Sequence, residues 1–217
     1  MVTPSGRAPR MAPDARRAAI IAATLPLVLR HGAAVTTRQI AQAAGIAEGT
    51  IFRVFPDKES VVQAVVAEAF DPAPTLRELA AVDCELPFRE RLTAAVTVLQ
   101  DRIAGVFGLL NALGWTGPPD REGRPAAARH PPGTANPTEI NDAFRAAIVE
   151  LIGSDECRLR VPAAELAHVL RLLVFSGTHP MIADGHQLEP EQIVAILLDG
   201  LAAPLPAPPD TEEDRPC

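Results

Sequence analysis

The feature that most constrains this chain is the stretch from Thr36 to Phe55, which has the pattern of two short helices separated by a glycine turn. Thr36 followed three residues later by Gln39 has the spacing of a capping box, which satisfies two free backbone amides at a helix start. Gly45 can adopt the left-handed conformation that ends a helix, and a second helix is predicted to begin near Glu48. Two short helices joined in this way form a helix-turn-helix, whose second helix can lie in the major groove of DNA.

The longer string TTRQIAQAAGIAEGTIFRVFPDKESV is more specific than a bare helix-turn-helix pattern. Through it, residues 14–60 resemble the DNA-binding domain of the TetR family of bacterial transcriptional regulators. The residues in register with that family are Gly45, Gly49, Thr50, Phe55, Lys58 and Glu59. The resemblance implies a ligand-responsive regulator, most readily a repressor. Such a protein binds a palindromic operator as a homodimer and is released by a small hydrophobic or amphipathic effector.

Apolar residues recur at helical spacing along the remaining chain, and no alternating strand pattern occurs. The sequence therefore predicts an all-α fold of about nine helices. We expect a disordered N-terminal arm at residues 1–13 and a three-helix, helix-turn-helix DNA-binding domain at 14–60. A helical ligand-binding and dimerisation domain is predicted at 61–203, with a disordered tail at 204–217. Residues 115–137 read as a long loop within the second domain.

Composition excludes several classes of protein. A chain of 217 residues that is 47% hydrophobic can bury a substantial core. No apolar run is long enough to span a bilayer, and the N-terminus lacks the apolar stretch of a signal peptide. The three cysteines are far apart, so they predict neither a disulfide framework nor a zinc site. We therefore expect a cytoplasmic protein that binds no membrane.

The net charge of −7 is unevenly distributed. Residues 1–70 contain eight basic and five acidic side chains, whereas residues 71–217 contain twelve basic and twenty-two acidic ones. A basic head attracts the duplex while an acidic body is repelled by it, which orients the approach to DNA.

The resemblance also indicates which residues touch DNA. It implies phosphate contacts from Thr37, Phe52 and Lys58, and a base or phosphate contact from Arg38. The exposed side of the second short helix would supply base contacts, because arginine reads guanine and glycine lets the backbone come near. Those residues are Ala47, Glu48, Gly49, Thr50 and Arg53. The carboxylate of Glu48 is unfavourable beside phosphates unless it accepts from a cytosine or pairs with Arg53.

Three positions depart from the family pattern. The family often has serine where Ala47 stands, tyrosine where Phe52 stands, and an aromatic residue or histidine where Val54 stands. These departures keep an alternative open, in which the chain is a helical small-molecule-binding protein or an enzyme whose head no longer reads DNA.

A ligand pocket is predicted in the second domain, between the long helix at 86–114 and the helices at 138–152 and 162–180. An apolar cavity with few polar groups suits a hydrophobic or amphipathic small molecule. The same residues could equally be ordinary core. The candidate lining residues are Phe88, Leu99, Ile103, Phe107, Asn111, Trp115, Phe144, His168, Phe175 and His179.

The last two apolar helices are predicted to form a four-helix dimer interface across a two-fold axis, as the resemblance implies. The alternative is that both helices simply close the core of the monomer. The candidate interface residues are Leu166, Leu170, Leu173, Val174, Ile193, Ile196, Leu197 and Leu201.

The sequence contains no catalytic pattern. Glu165 and His168 have the Glu-x-x-His spacing of di-iron helix bundles, but those sites require a second such motif and two further carboxylates. No Ser-His-Asp arrangement, phosphate-binding loop or carboxylate pair is present. We therefore expect no enzymatic activity, metal or cofactor.

Overall fold

The computed structural model describes residues 12–114 and 136–200, and within these ranges the secondary structure is entirely helical. This confirms the predicted all-α fold. The predicted arm at 1–13, except for its last two residues, and the predicted tail at 204–217 lie outside the described ranges, as does most of the loop at 115–137. The nine described α-helices are α1 Pro13–His31, α2 Thr37–Ala43, α3 Glu48–Ile51, α4 Lys58–Phe70, α5 Ala73–Ala80, α6 Phe88–Ala112, α7 Pro137–Ile152, α8 Ala163–Thr178 and α9 Pro190–Asp199.

The local signals at the helix-turn-helix act as their spacing predicts. The Thr36 hydroxyl accepts a hydrogen bond from the Gln39 amide at 3.3 Å, and the Gln39 side-chain oxygen accepts from the Thr36 amide at 2.9 Å. Gly45 takes a φ of +65°, which permits the sharp turn after α2. Because both signals are local, α2 begins and ends where the sequence indicates.

Helices α1 to α4 form the head of the molecule around one apolar core. Side chains from all four helices are buried there, and α4 contributes Val61, Val62, Val65 and Val66. Leu109 and Leu113, from the end of α6, are buried in the same cluster. The head therefore completes its core with residues that follow it by some forty positions in the chain.

Helices α5 to α9 form the body, with α6 at its centre. α6 packs against α1, α4, α5, α7, α8 and α9. It is also the one helix in the described ranges with the length and hydropathy to cross a membrane, a finding that rests on length and composition alone. The main buried side chains of the body core are Leu92, Val96, Leu99, Phe144, Ile148, Leu166, Leu170, Val174 and Ile193.

One contact attaches the C-terminal end of α4 to α6, and another attaches its N-terminal end to the turn after α1. At its C-terminal end, the Arg102 guanidinium of α6 donates to the carbonyl oxygens of Phe70 at 2.9 Å and Asp71 at 2.7 Å. Arg102 also lies 5.2 Å from the centre of the Phe144 ring of α7. At the N-terminal end of α4, the Lys58 ammonium donates to the carbonyl oxygen of Ala33 at 3.0 Å. Both ends of this helix are thus attached to other elements.

Arg91 ties together the start of α6 and the end of α7. Its side chain is only 10% exposed. It donates to the carbonyl oxygens of Leu151 at 2.8 Å and Cys84 at 2.9 Å, and to the Asp155 carboxylate at 2.5 Å. Arg158 donates to the other carboxylate oxygen of Asp155 at 3.0 Å. This burial is tolerated because the charge is both paired and hydrogen-bonded.

Candidate nucleic-acid interface and body sites

The outer face of α3 and the turn before it are exposed. Ala47, Glu48, Gly49 and Arg53 are exposed, Thr50 is half-buried and the Phe52 ring is 52% exposed. The inner face is anchored by Ile51 and Phe55, both of which are buried. The predicted base-reading residues therefore lie on the turn before α3, on α3 and just after it, and all but the half-buried Thr50 are exposed.

Two arginines on this surface are available to DNA. Arg38 of α2 and Arg53 after α3 are both exposed. Neither forms an ion pair with any residue in the part of the chain that the structure describes. Their guanidinium groups can therefore donate to phosphate oxygens or to the O6 and N7 acceptors of guanine.

Glu48 is bound to Thr37, which lies on the preceding helix. The Thr37 hydroxyl donates to one carboxylate oxygen of Glu48 at 2.5 Å. The Thr37 hydroxyl proton is thus already used within the protein, so a phosphate contact from Thr37 falls to its backbone amide at the start of α2. The bond also links the first residues of α2 and α3.

Lys58 has a structural partner that its position in the sequence does not reveal. Besides donating to Ala33, its ammonium lies 3.9 Å from the carboxylate of Glu59. An ammonium has three protons, so Lys58 can hold the turn after α1 and still donate to a phosphate.

One further cation, which was not predicted from the sequence, lies near the end of α3. The guanidinium of Arg17, on α1, lies 4.5 Å from the centre of the Phe55 ring. Arg17 is exposed. Its stacking on Phe55 orients a positive charge next to the end of α3, and no local pattern could have signalled a contact across 38 positions.

The predicted pocket residues divide into several groups. Phe107, Phe175 and His179 meet, with the Phe107 ring centre 4.4 Å from that of His179 and 5.7 Å from that of Phe175. Leu99 and Phe144 are buried in the body core.

The other predicted pocket residues lie apart from this aromatic group. Phe88 packs at the opposite end of α6, 5.7 Å from Arg91. Ile103 is half-buried, Asn111 and His168 are exposed, and Trp115 lies outside the described residues. The structure therefore brings together three of the ten predicted residues as an aromatic cluster on α6 and the end of α8. Four others, Phe88, Leu99, Ile103 and Phe144, belong to the body core.

A separate polar cavity of about 280 Å³ lies between α6 and the connection from α8 to α9. Thr178, which lines it, is 3% exposed, and its hydroxyl has no hydrogen-bond partner among the described residues. None of the predicted pocket residues lines this cavity. Its lining residues are Thr97, Gln100, Asp101, Ala104, Thr178, Gln187, Leu188, Glu189 and Pro190.

The predicted dimer residues lie largely on the inner faces of α8 and α9. Leu166, Leu170, Val174 and Ile193 are buried within the protomer. These four side chains therefore pack inside the protomer and not on its surface. Leu173, Ile196 and Leu197 are half-buried, and Leu201 falls outside the described ranges.

The outer face of α8 is instead apolar and exposed. Leu172 is 53% exposed and Val169 is 39% exposed, and Met181 and Ile182 just beyond the helix are more exposed still. These exposed side chains lie on a different face of α8 from Leu166, Leu170 and Val174.

The Glu165–His168 pair gains no further ligands from the fold. Over residues 12–114 and 136–200, no group of three or more histidine, cysteine, aspartate or glutamate side chains is placed to hold a metal ion.

Comparison with known proteins identifies the head. Residues 20–65 match the family model described as bacterial regulatory proteins, tetR family. No curated protein matches the chain. Three solved structures share the fold, each with a TM-score of 0.53.

The first of these structures is the fatty acid degradation regulator FadR from Bacillus halodurans, which is 18% identical and aligns over 87% of this chain and 96% of its own. The second, a tetR-family transcriptional regulator from Streptomyces coelicolor, is 21% identical over 87% of this chain and 79% of its own. A transcriptional regulator from Pseudomonas aeruginosa PAO1 is 21% identical over 91% of this chain and 94% of its own.

Proposed function

We propose that the chain is a TetR-family regulator, because residues 20–65 match the model of that family, and that it represses transcription in the cytoplasm by binding operator DNA. In this proposal it binds a palindromic operator as a homodimer and leaves it when a small hydrophobic or amphipathic effector enters the body. The single observation that carries the DNA-binding part is the exposed face of α3, flanked by Arg38 and Arg53 with no ion-pair partners in the described ranges.

A dimer is required because one short helix reads few bases. Two heads held on one rigid body read two half-sites, whose spacing is set by the protein. The apolar outer face of α8, with Val169 and Leu172, supports this assembly. Single exposed leucines are ordinary, whereas a contiguous apolar patch on a helix marks an interaction surface.

The effector would contact the aromatic cluster of Phe107, Phe175 and His179. These rings join α6 to the end of α8, so a ligand packed against them changes the relation between two body helices. His179 uses its Nδ1 to accept from the Met181 amide at 3.2 Å, which leaves Nε2 as a donor to a polar group of the ligand.

Movement of α6 would reach DNA through the head. α6 holds the C-terminal end of α4 through Arg102, and it ends inside the head core at Leu109 and Leu113. A displacement of α6 would therefore change the orientation of the head. The two heads of the dimer would then no longer fit two consecutive half-sites of the operator. By linkage, effector and operator weaken each other's binding by the same factor.

A salt titration of duplex binding tests the proposal. Since a DNA reader releases counterions, log Kd should depend linearly on log salt with a slope of about 0.9 per phosphate neutralised. The double variant Arg38→Ala, Arg53→Ala should weaken binding and lower the slope by up to about two units. Arg77→Ala, an exposed arginine on α5, is the matched control and should behave as wild type.

The opposite result would favour a different class of function. Absent or salt-independent DNA binding by the wild-type chain would contradict the proposal. That result would support a helical ligand-binding protein whose head no longer reads DNA. Ala47, Phe52 and Val54, which depart from the family pattern, are consistent with this alternative.

A further inference from the structure

Glu48 is an acidic residue at the start of the exposed face of α3, the face proposed to contact DNA. It is the first residue of α3 and its side chain is exposed. In helix-turn-helix proteins the N-terminal residues of the second helix contact base edges. When the chain binds DNA, a carboxylate here would face the phosphate-lined groove, and a specific donor would have to offset its repulsion by the duplex.

The donor is not an arginine of the protein. Among the described residues Glu48 has no ion-pair partner, so neither Arg38 nor Arg53 neutralises it. The Thr37 hydroxyl donates to Oε1 only. Oε2 thus remains available, while the bond to a second helix orients the carboxylate. A side chain oriented in the free protein loses less entropy on binding.

The edges of the four bases differ in what they offer such an oxygen. In the major groove guanine presents the acceptors N7 and O6, and thymine presents the acceptor O4 and a methyl group. Adenine presents an N6 donor, but its N7 acceptor lies beside that donor and repels a carboxylate. Cytosine presents its N4 amino donor without a neighbouring acceptor on the same base.

We propose that Glu48 is a specificity-determining residue that selects cytosine at one position of each operator half-site, by accepting a hydrogen bond from the N4 amino group. This inference rests on the proposed DNA-binding function and adds the identity of one base to it. It assigns to Thr37 the role of orienting that carboxylate, in addition to the phosphate contact of its backbone amide.

The test is selection of duplexes from a random-sequence library by the purified full chain. Wild type should enrich a motif with cytosine at one position of each half-site. Glu48→Gln should change that position towards adenine, because a glutamine amide pairs with adenine N6 and N7. Glu48→Ala should lose the preference there while keeping the rest of the motif. Glu68→Gln removes the same charge from an exposed site on α4 and should leave the motif unchanged.

Competition binding makes the test quantitative. Wild type should bind the selected duplex about tenfold more tightly than one with thymine in place of that cytosine. For Glu48→Ala the ratio should fall close to one. Circular dichroism of each variant checks that the helical content is retained.

Two results would overturn the inference, and they are distinguishable. If Glu48→Ala and Glu48→Gln select the wild-type motif with the wild-type ratio, Glu48 reads no base although the protein reads DNA. If wild type enriches no sequence at all, the proposed function fails and the inference fails with it.

Discussion

A Cβ atom added to Gly32 would lie 2.3 Å from the carbonyl oxygen of Ala112. The backbone after α1 therefore touches the backbone at the end of α6, where the head meets the body. Gly32 also has a φ of +57° and a ψ of −140°, a conformation that residues with a Cβ rarely adopt. Two independent reasons thus require glycine at this joint.

Gly32→Ala should consequently destabilise the fold more than an ordinary glycine substitution. Gly153 is a matched control, since its φ of +52° and ψ of −130° are similar and nothing lies within 4 Å of its added Cβ. Both variants lose about 1–3 kcal/mol to backbone strain. Gly32→Ala should lose roughly 1–3 kcal/mol more from the clash, seen as a larger fall in urea midpoint. Equal losses of stability in the two variants would show that the backbone at Gly32 can move away from Ala112 without a cost in free energy.

Arg102→Met should destabilise the protein because the carbonyl groups of Phe70 and Asp71 lose their donor. The loss of a hydrogen bond from a charged donor costs about 1.5–3 kcal/mol, or about 2–4 °C in Tm for each kcal/mol in a chain of this size. Arg89→Met is the control: its ion pair with Asp199 is about half exposed and should contribute under about 1 kcal/mol. Thermal unfolding of both variants measures the difference. If Tm falls no further for Arg102→Met than for Arg89→Met, the hydrogen bonds of Arg102 do not stabilise the fold.

Asp155 should make stability depend on acid pH. Hydrogen bonds from Arg158 and Arg91 hold the pKa of Asp155 below its usual range. Because the folded pKa is the lower one, the ionised carboxylate stabilises the fold above the ordinary value of about pH 4. That contribution is lost as the pH falls through the folded pKa. The Tm difference between wild type and Asp155→Asn should be constant from pH 7 to about pH 5 and should shrink below about pH 4.

Asp142→Asn serves as the comparison for this acid effect, since it removes an exposed pair with Arg145 and should change Tm little at any pH. A Tm difference for Asp155→Asn that stays constant to pH 3 would contradict the assigned role of the carboxylate.

Leu172→Glu should convert the proposed dimer to a monomer, because it places a charge in the middle of the apolar face of α8. Leu29 on α1 is a matched control: it is 48% exposed, against 53% for Leu172, and lies on the head. Sedimentation velocity at micromolar concentration should show a lower mass for Leu172→Glu and no change for Leu29→Glu. A monomeric wild type would contradict the dimer itself.

Local spacing was sufficient to predict the two helices and the turn of the helix-turn-helix. The capping box at Thr36 and Gln39 and the turn at Gly45 each depend on residues within a few positions, so the sequence contains the whole signal. The body helices were predictable for the same reason, since Pro162 and Pro190 lie where α8 and α9 begin.

The direction in which each body helix faces was not predictable. In α8 both Leu170 and Leu172 are apolar, and helical spacing alone cannot tell which of them lies inward. Leu170 is buried only because α6 and α7 pack on its side. Partners distant in sequence, such as Lys58 with Ala33 and Arg102 with Phe70, were invisible for the same reason.

Leu109 and Leu113 are buried in the core of the head. The packing of the head therefore depends on a part of the chain that is synthesised after it. A fragment cut after Phe70 would be missing side chains from its own interior, so it should emerge from the ribosome incompletely packed. The proposed operator binding would then require α6 as well as the head.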